Sequence, residues 1–437
     1  MTSLARSLKN AWQNTRRVMH GNLATMSFTS MLGMFSRSMA YPYVSLYILA
    51  LHGDPEQIGL INALAPLLGL IAFPLGGYLA DHVGRVKLMG WTTIIAASME
   101  LLYAVAPSWE WLALASLLMG FSVVQFPAQS ALLADSTTPQ DRSRAIGLMN
   151  TISSLPSMAA PWVAGLVIDA VGIDPGARYL YAFLGCGNIL VGFAVLRLLH
   201  ETRSTPPEPF HLAMVPRLLW STYSGLGALL RPIPRTALAV GIIGVIGLAV
   251  NAIAGPFWVV QAIDGLGLTA TEWGIILLLE SAVRILSMAP AGVLADRIGR
   301  SRCMLLSLSM LAVALPLFTV VHGYWGVLFV RLLIGLADGI FVPASVALLA
   351  DSIPRQMRGR VLAAIGQGSV LIGSSSGGTG GPALGYLVIV PLILSSLASG
   401  YIYDAGVRLP WLVSFGLILV TLVIAALYVR DPHQAEV

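Results

Sequence analysis

Residues 79–88 read LADHVGRVKL, and a near-copy, LADRIGRSRC, stands at 294–303. Both are compact charged phrases between long apolar runs. The two copies start 215 residues apart in a chain of 437 residues, which is close to half its length. This spacing indicates that the chain consists of two related halves, each with one copy of the phrase.

The composition is that of a membrane protein. Hydrophobic residues make up 57% of the chain, and Asp, Glu, Lys and Arg together only 10%, whereas soluble domains carry about a quarter charged residues. The net charge of +5 is spread over short clusters between apolar runs, which argues against nucleic acid as a partner. The two cysteines, Cys186 and Cys303, lie in or beside apolar runs, so no disulfide framework is expected.

The apolar runs predict twelve membrane-spanning helices and an all-α polytopic protein surrounded by the lipid bilayer. A helix needs about 20 mostly apolar residues to cross the hydrocarbon core. The runs are continuous rather than alternating, so a β-barrel is not expected. The predicted spans are 23–50, 57–80, 88–106, 110–134, 144–169, 178–199, 236–262, 272–294, 303–321, 325–350, 379–404 and 409–429.

Lysine and arginine are distributed unequally between the two sides of these spans. Segments on the side of the N-terminus hold twenty of the 25, and the opposite loops hold only Arg178 and Arg408. Cytoplasmic loops carry the excess of Lys and Arg. The asymmetry therefore predicts that both termini are cytoplasmic, with the protein in the plasma (inner) membrane.

The repeat extends beyond the opening phrase. ALLADSTTPQDRSRA at 131–145 matches ALLADSIPRQMRGRV at 347–361, and Gly59 at the start of span 2 matches Gly274 at the start of span 8. The predicted units are an N-terminal six-helix half at 1–199, a cytoplasmic linker with one short surface helix at 200–235, and a C-terminal six-helix half at 236–437.

An insertion interrupts the repeat in the second half. Asp169 of span 5 matches Asp404 at an offset of 235 instead of 216, so nineteen residues have been added after Arg360. The added stretch contains GSSSGGTGG at 373–381, and this composition favours a flexible cytoplasmic loop near 361–378. In an alternative register, span 11 starts near Arg360 and is broken at these glycines.

Two parallel six-helix repeats are a recurring transporter architecture. The phrase G-x-L-A-D-x-x-G-R between spans 2 and 3, copied between spans 8 and 9, resembles the signature loop of the major facilitator superfamily (MFS). The spans, the linker and the repeat extend this resemblance over essentially the whole chain. It implies the MFS fold and a monomeric secondary transporter of a small-molecule substrate, with no enzymatic activity, no cofactor and no metal.

The resemblance also implies that the repeated phrase is a cytoplasmic latch. In the family, an aspartate here caps the N-terminus of a helix in the other half, which would be span 11 for Asp81 and span 5 for Asp296. The arginines four residues on would pair with the aspartates that end spans 4 and 10. The candidate latch residues are Gly77, Asp81, Gly84, Arg85, Asp135, Gly292, Asp296, Gly299, Arg300 and Asp351. Alternatively, these charges only anchor a short loop at the membrane surface.

Polar side chains inside the spans are the candidates for substrate and proton binding. An ionisable residue at the bilayer centre costs at least ~2.5–3.5 kcal/mol, so each one needs a reason to be there. Spans 1, 4, 7 and 10 line the central cavity in the family, and each carries one polar group at similar depth. The candidates in these and neighbouring spans are Arg37, Gln125, Asn251, Glu280, Arg284, Arg331 and Asp338.

Structural roles are the alternative for several of these residues. Glu280 and Arg284 lie four residues apart on one helical face and can neutralise each other, whereas Arg331 can pair with Asp338 or Glu280. No acidic residue lies near Arg37 on its own helix, which favours a functional role for this arginine.

Three functions fit the sequence. The leading hypothesis is proton-coupled export of small amphipathic compounds with Glu280 or Asp338 as proton carrier, since PYVSLY at 42–47 loosely resembles the drug-efflux branch of the family. Arginines inside the membrane favour instead the uptake or exchange of small organic anions. The third is a non-transporting membrane sensor with the same fold. No nucleotide-binding or hydrolase motif is present in the sequence.

Overall fold

The computed structural model describes residues 20–138, 141–202, 214–224, 233–353, 370–375 and 386–431. All regular structure in these ranges is helical, in agreement with the predicted twelve-helix fold. Ten of the described helices are long and apolar enough to cross a membrane. The two others are the first helix, which is interrupted by a 3-10 turn, and the eleventh, whose described part is shorter.

The helices are numbered α1 to α12, with α1–α6 in the N-terminal half and α7–α12 in the C-terminal half. Three of them contain a 3-10 or π segment. Their bounds are Asn22–Ala40, Tyr41–Tyr43 and Val44–Ala50 (α1), Pro55–Val83 (α2), Arg85–Val105 (α3), Trp109–Met119, Gly120–Val124 and Gln125–Asp135 (α4), Arg142–Val171 (α5), Ile173–Leu198 (α6), Arg235–Ala254, Phe257–Val260 and Gln261–Gly265 (α7), Ala270–Ile298 (α8), Arg300–Phe318 (α9), Gly323–Ser352 (α10), Ile389–Ala405 (α11) and Leu409–Tyr428 (α12).

The outer surface of the bundle is apolar, as expected for a protein in lipid. Large side chains such as Leu190, Leu286 and Phe329 are more than half exposed. Lipid tails are as apolar as leucine, so helices in a membrane associate through close packing and hydrogen bonds rather than through the hydrophobic effect. Small residues at helix crossings therefore decide where the two halves meet.

The corresponding helices α2 and α8 begin and end in the same way. Each starts with a capping box, in which the side chain of Gln57 or Glu272 accepts a hydrogen bond from the backbone N–H of the N-cap residue. Each ends at a glycine with positive φ, +94° at Gly84 and +99° at Gly299. Side chains rarely adopt this conformation, which explains the glycine of the repeated phrase.

We call the end of the bundle that contains Gly84 and Gly299 the terminal face, because α1 begins and α12 ends there. The other end, where α2 and α8 begin, is the opposite face. At the opposite face the halves touch through glycines. A Cβ added at Gly59 of α2 would lie 2.5 Å from the Ser396 carbonyl oxygen of α11, and one added at Gly274 of α8 would lie 2.5 Å from the Pro161 carbonyl oxygen of α5.

Toward the terminal face, the described parts of α5 and α8 lie farther apart. Around Gly77 of α2, Gly147 of α5 and Gly292 of α8, no described atom lies within 4 Å of an added Cβ. The terminal ends of α5 and α8 are also exposed, as Ile146 and Val293 show. Within the described ranges, the halves are therefore joined at the opposite face and splayed at the terminal face.

Residues 370–375 correct one prediction. They belong to the stretch expected as a cytoplasmic loop, but they have no regular secondary structure and lie inside the C-terminal half, between α7 and α10. Asn251 and Asp338, which hold them, are near the middle of their helices. For these six residues the loop prediction is wrong, because polar side chains remote in sequence satisfy their backbone. The rest of the predicted insertion lies outside the described residues.

The described part of the predicted linker contains one helix, Val215–Ser224, which we call the linker helix. Its Tyr223 hydroxyl donates a hydrogen bond of 2.5 Å to the Leu70 carbonyl oxygen of α2. That oxygen lacks its usual helical donor because residue 74, four positions on, is a proline without an N–H. The proline in α2 thus creates the acceptor that the linker helix binds.

Tryptophan at Gly59 and Gly274 is expected to force the opposite face apart, because backbone atoms occupy the space that the side chains would need. Spin labels at the exposed positions Val105 and Trp325, in a background with both cysteines replaced by serine, report the distance between the halves at this face. The double variant should lengthen that distance. Tryptophan at Gly147, where no described atom is close, is the matched control, and an equal lengthening there would contradict the packing argument.

Candidate functional site

A buried ion pair forms the centre of the C-terminal half. Arg331 of α10 is fully buried, and its Nε and Nη2 lie 2.8 and 2.6 Å from Oε2 of Glu280 on α8. The guanidinium carbon also lies 4.6 Å from the ring centroid of Trp258 and 5.7 Å from that of Trp273. Of the pairings that the sequence left open for Arg331, the structure contains the one with Glu280.

Three polar side chains hold the non-helical residues 370–375. Oδ1 of Asn251 accepts hydrogen bonds from the N–H groups of Gly373 (2.7 Å) and Ser374 (3.1 Å), and its Nδ2 donates to the Leu371 carbonyl oxygen. Nη1 of Arg331 donates to the Gly373 carbonyl oxygen at 2.8 Å. Gly373 has a φ of +92°, which turns the chain so that both of its polar groups meet side chains.

Asp338 is the third of these side chains, and only one of its two carboxylate oxygens is used. It is fully buried in α10, and its Oδ1 accepts a hydrogen bond of 2.9 Å from the Ile372 N–H. Its Oδ2 is buried without a hydrogen-bond partner among the described residues. The positive charges of Arg284 and Arg331 interact with it electrostatically, but neither forms an ion pair with the carboxylate within 4 Å among the described residues.

Arg284 does not neutralise Glu280, although the two are four residues apart on α8. Its Nη2 donates to the Ser281 hydroxyl at 3.2 Å, and its side chain is partly exposed. The i,i+4 pair is replaced by the Glu280–Arg331 pair between helices. Arg284 is thus a partly accessible positive charge beside the buried cluster of Asn251, Glu280, Arg331 and Asp338, which we call the C-half cluster.

Arg37 lies in a different place, on the wall of a cavity of about 100 Å³ in the N-terminal half. The cavity is enclosed mainly by α1, α2 and α4, and by Ile389 and Leu392 of α11 from the other half. The guanidinium carbon lies 5.5 Å from the ring centroid of Tyr41, which also lines the cavity. No carboxylate among the described residues lies within 4 Å of this guanidinium.

Gln125 faces away from Arg37. Its Oε1 accepts a hydrogen bond of 3.1 Å from the Thr93 hydroxyl of α3, and it does not line the cavity. The four polar groups expected at one depth of α1, α4, α7 and α10 therefore do not form one site. Arg37 lines the cavity, Gln125 contacts α3, and Asn251 and Asp338 belong to the C-half cluster.

At the terminal face each half contains the arginine–aspartate pair expected from the repeated phrase. Arg85 pairs with Asp135, and Arg300 pairs with Asp351. Each pair joins the start of one helix to the end of another within the same half. Asp296 is exposed and forms no hydrogen bond or ion pair with the described residues, while the helix start expected for Asp81 lies outside them.

Sequence reasoning missed a second acidic residue in each half. Oε2 of Glu201, just after α6, accepts a hydrogen bond of 3.1 Å from the Val86 N–H at the start of α3. Asp431, just after α12, accepts from the N–H groups of Arg300 (2.9 Å) and Ser301 (3.0 Å) at the start of α9. Both residues stand three positions after the last helix of their half, and this match in the sequence could have indicated a shared role.

Polar contacts also join the halves at the opposite face. The Asp169 carboxylate at the end of α5 accepts hydrogen bonds from the N–H groups of Ala270 (3.0 Å) and Thr271 (2.8 Å) at the start of α8. The Tyr43 hydroxyl lies 2.8 Å from the Pro161 carbonyl oxygen and 2.9 Å from that of Ala270. Asp169 thus caps a helix of the other half, at the face opposite to the one where the sequence predicted such caps.

Comparison with known proteins agrees with this architecture. The family model of the Major Facilitator Superfamily matches residues 26–251 and 240–437, which is one match to each half. The chain belongs to this superfamily. Its fold and its relatives are those of a membrane transporter, and the predicted resemblance is confirmed.

Relatives of this MFS protein include proteins named Multidrug resistance protein MdtG. The one from Serratia proteamaculans is 27% identical over 76% of this chain and 81% of its own length. The one from Enterobacter lignolyticus is 26% identical over 90% of this chain and 88% of its own length. Among solved structures, the nucleoside transporter NupG superposes with a TM-score of 0.67 at 15% identity, over 94% of this chain and 100% of that one, which supports the fold alone.

The Glu280→Gln change is expected to destabilise the protein strongly, because it leaves the charge of Arg331 buried without its partner. Breaking a buried pair by removing one member costs about 3–5 kcal/mol. Thermal unfolding of the detergent-purified protein measures the loss. Replacing both members, as Glu280→Gln with Arg331→Met, should recover part of it.

Asp174→Asn is the matched control, since it removes an aspartate from a partly exposed pair with Arg178 at the opposite face. Exposed pairs contribute about 0–1 kcal/mol. Equal losses for Glu280→Gln and Asp174→Asn would contradict the assignment of the buried pair as a structural centre.

Proposed function

We propose that this protein is a secondary active transporter that exports small amphipathic compounds in exchange for protons by alternating access. The superfamily and the relatives named as multidrug resistance proteins support export of such compounds. The cavity in the N-terminal half, with a mostly apolar and aromatic wall, offers a place for the substrate. The observation that carries the proton coupling is the placement of Asp338.

Asp338 combines the features of a proton carrier. It is buried at mid-helix, one carboxylate oxygen accepts a hydrogen bond from the Ile372 N–H, and the other has no partner among the described residues. Ionisable residues inside membrane helices are rare and mark ion pathways. When Asp338 is ionised, its charge strengthens the hydrogen bond from Ile372 N–H. Protonation removes that charge and so weakens the attachment of residues 370–375.

This attachment can pass the effect of the proton to the other half. Residues 370–375 precede α11 in the chain, and α11 packs on α2 of the N-terminal half at Gly59 and Gly400. The cavity wall also contains Ile389 and Leu392 of α11. In this mechanism, a change at residues 370–375 passes along the chain to α11, which contacts both the partner half and the substrate cavity.

The orientation in the membrane follows from the distribution of Lys and Arg. We place both termini, and thus the terminal face, in the cytoplasm and the protein in the inner membrane as a monomer. The splayed terminal face then corresponds to an inward-facing conformation. The repeated phrase acts as the latch of the outward-facing one, with Asp296 moving to the start of α5 and Asp81 to that of α11.

The Asp338→Asn change tests the proton coupling. Purified protein is placed in liposomes with an imposed pH gradient and an internal pH dye, and tetraphenylphosphonium, chloramphenicol or 2-naphthoate is added. We expect at least one of these compounds to trigger proton movement with the wild type. Asp338→Asn should abolish proton movement but keep gradient-independent exchange of the same compound, because an amide can fill the site without titrating.

Asp174→Asn is again the control, because it removes an aspartate far from the C-half cluster. Proton movement of wild-type size in the Asp338→Asn protein would show that this carboxyl does not carry the proton. No response of the wild type to any of the three compounds would contradict proton-coupled export of amphipathic compounds. The direction of transport is read from the pH gradient. Export requires that substrate leaves the compartment that the terminal face contacts when the opposite compartment is the more acidic.

A further inference from the structure

Arg37 differs from the two other arginines inside the membrane. Arg331 is fully buried, and its guanidinium is occupied by Glu280 and by the Gly373 carbonyl oxygen. Arg284 donates to Ser281. Arg37 is accessible, lines the cavity, and has no ion pair with any described residue. Its five N–H donors require partners in a site of low dielectric.

No described carboxylate lines this cavity. The polar groups on its wall besides Arg37 are the neutral side chains of Asn62, Ser116 and Ser122 and the tyrosine hydroxyls. A cavity that binds lipophilic cations would need a negatively charged side chain, or an aromatic cage with no positively charged side chain in its wall. The guanidinium of Arg37 instead repels cations from the cavity, and its planar fork of donors matches a carboxylate or a phosphonate.

Glu100 lies behind this wall and explains how Arg37 is tolerated in the membrane. Its carboxylate is buried, accepts a hydrogen bond of 2.7 Å from Nδ2 of Asn188, and interacts electrostatically with Arg37. It does not line the cavity and is not within ion-pair distance of the guanidinium. It therefore offsets part of the cost of the charge without occupying the donors.

The remaining wall fits the apolar part of a ligand. Tyr41, Phe73, Tyr103, Phe126 and Tyr181 bring aromatic side chains to the cavity. Tyr103 and Tyr181 stack with ring centroids 4.7 Å apart, which gives this part of the wall a fixed shape. Aromatic side chains offer ring faces and edges to a ligand ring.

We propose that the substrate site binds amphipathic organic anions, with the anionic group on Arg37 and an aromatic or other apolar body against the aromatic side chains. This proposal rests on the proposed function, because it assumes that the bound compound is transported. It adds the chemical class of the exported compound. Binding is separable from transport, so the two proposals can fail independently.

The test compares three ligands with the same ring system and different charge. Binding of 2-naphthoate, 2-naphthamide and 2-naphthylmethylammonium to the purified full-length protein in nanodiscs is measured by equilibrium dialysis. Hydrogen bonds to charged groups contribute about 1.5–3 kcal/mol, so the wild type should prefer the naphthoate to the amide by about tenfold or more. The ammonium compound should bind weakest. Equal or tighter binding of the ammonium compound would overturn the proposal without any variant.

Substitutions then locate the preference. Arg37→Gln should reduce the ratio between naphthoate and amide affinity to about one, with the affinity for the amide changed by less than about threefold. Arg37→Lys keeps the charge but loses the fork of donors, so it should give an intermediate ratio. Arg178→Gln, which removes an arginine at the opposite face, is the matched control and should keep the wild-type ratio.

A wild-type ratio in the Arg37→Gln protein would overturn the assignment of the anion to Arg37. If that variant does not fold, the three-ligand ranking of the wild type and the ratio of Arg37→Lys still decide the question. Arg37-dependent binding of naphthoate without proton movement in liposomes would contradict the proposed coupling but uphold the anion site. Proton movement triggered only by tetraphenylphosphonium would uphold the proposed coupling but contradict the anion site.

Discussion

The attachment of residues 370–375 to Asn251, Arg331 and Asp338 is the constraint on which the C-terminal half depends. Backbone that is not helical leaves N–H and C=O groups unpaired, and each such group costs several kcal/mol in the absence of water. The three side chains are also costly to bury when they have no partner. Here the backbone groups and the side chains offset each other's cost, because the side chains bind N–H and C=O groups of this segment. Residues 370–375 and the C-half cluster therefore stabilise each other.

The two halves share a fold but use their interiors differently. In the C-terminal half, the C-half cluster and residues 370–375 occupy the interior. In the N-terminal half, Arg37 lies on the wall of an accessible cavity, and Glu100, which interacts with it electrostatically, does not line that cavity. Helix α11 belongs to the C-terminal half but lines the cavity of the N-terminal one. The C-terminal half thus contains the polar groups that hold residues 370–375, and the N-terminal half contains the space for a ligand.

The sequence was sufficient to predict the helices, the repeat and the contacts that the repeat duplicates. Hydropathy sets the depth of a residue in the membrane, and the two copies of the charged phrase each brought an arginine to an aspartate at a helix end. Depth does not set the rotation of a helix about its own axis. Gln125 is an example, because it contacts α3 instead of lining the cavity. The five residues of the 3-10 segment Gly120–Val124 precede it. At 3.0 instead of 3.6 residues per turn they rotate the helix by about 100° more than an α-helix would.

The loop prediction for residues 370–375 was wrong for a related reason. Glycine and serine at 373–375 indicate flexibility when only neighbours in sequence are considered. The side chains that order them are remote, since Asp338 precedes Ile372 by 34 residues and Asn251 precedes Gly373 by 122. The capping roles of Glu201 and Asp431 were not predicted for the same reason. Each of these residues lies 115 to 131 residues from the helix start that it caps.

Helices α5 and α8 show why a single proton can decide between two conformations of such a bundle. The helices run in opposite directions, so the end of each lies beside the start of the other. Asp169 at the end of α5 caps the start of α8 in this structure, and in the proposed latch Asp296 at the end of α8 would cap the start of α5. Each cap is worth about 0.3–1 kcal/mol, so the two closures nearly balance. A nearly balanced equilibrium responds to any ligand that distinguishes its states, and in the proposed mechanism the charge on Asp338, which binds the Ile372 N–H, is such a difference.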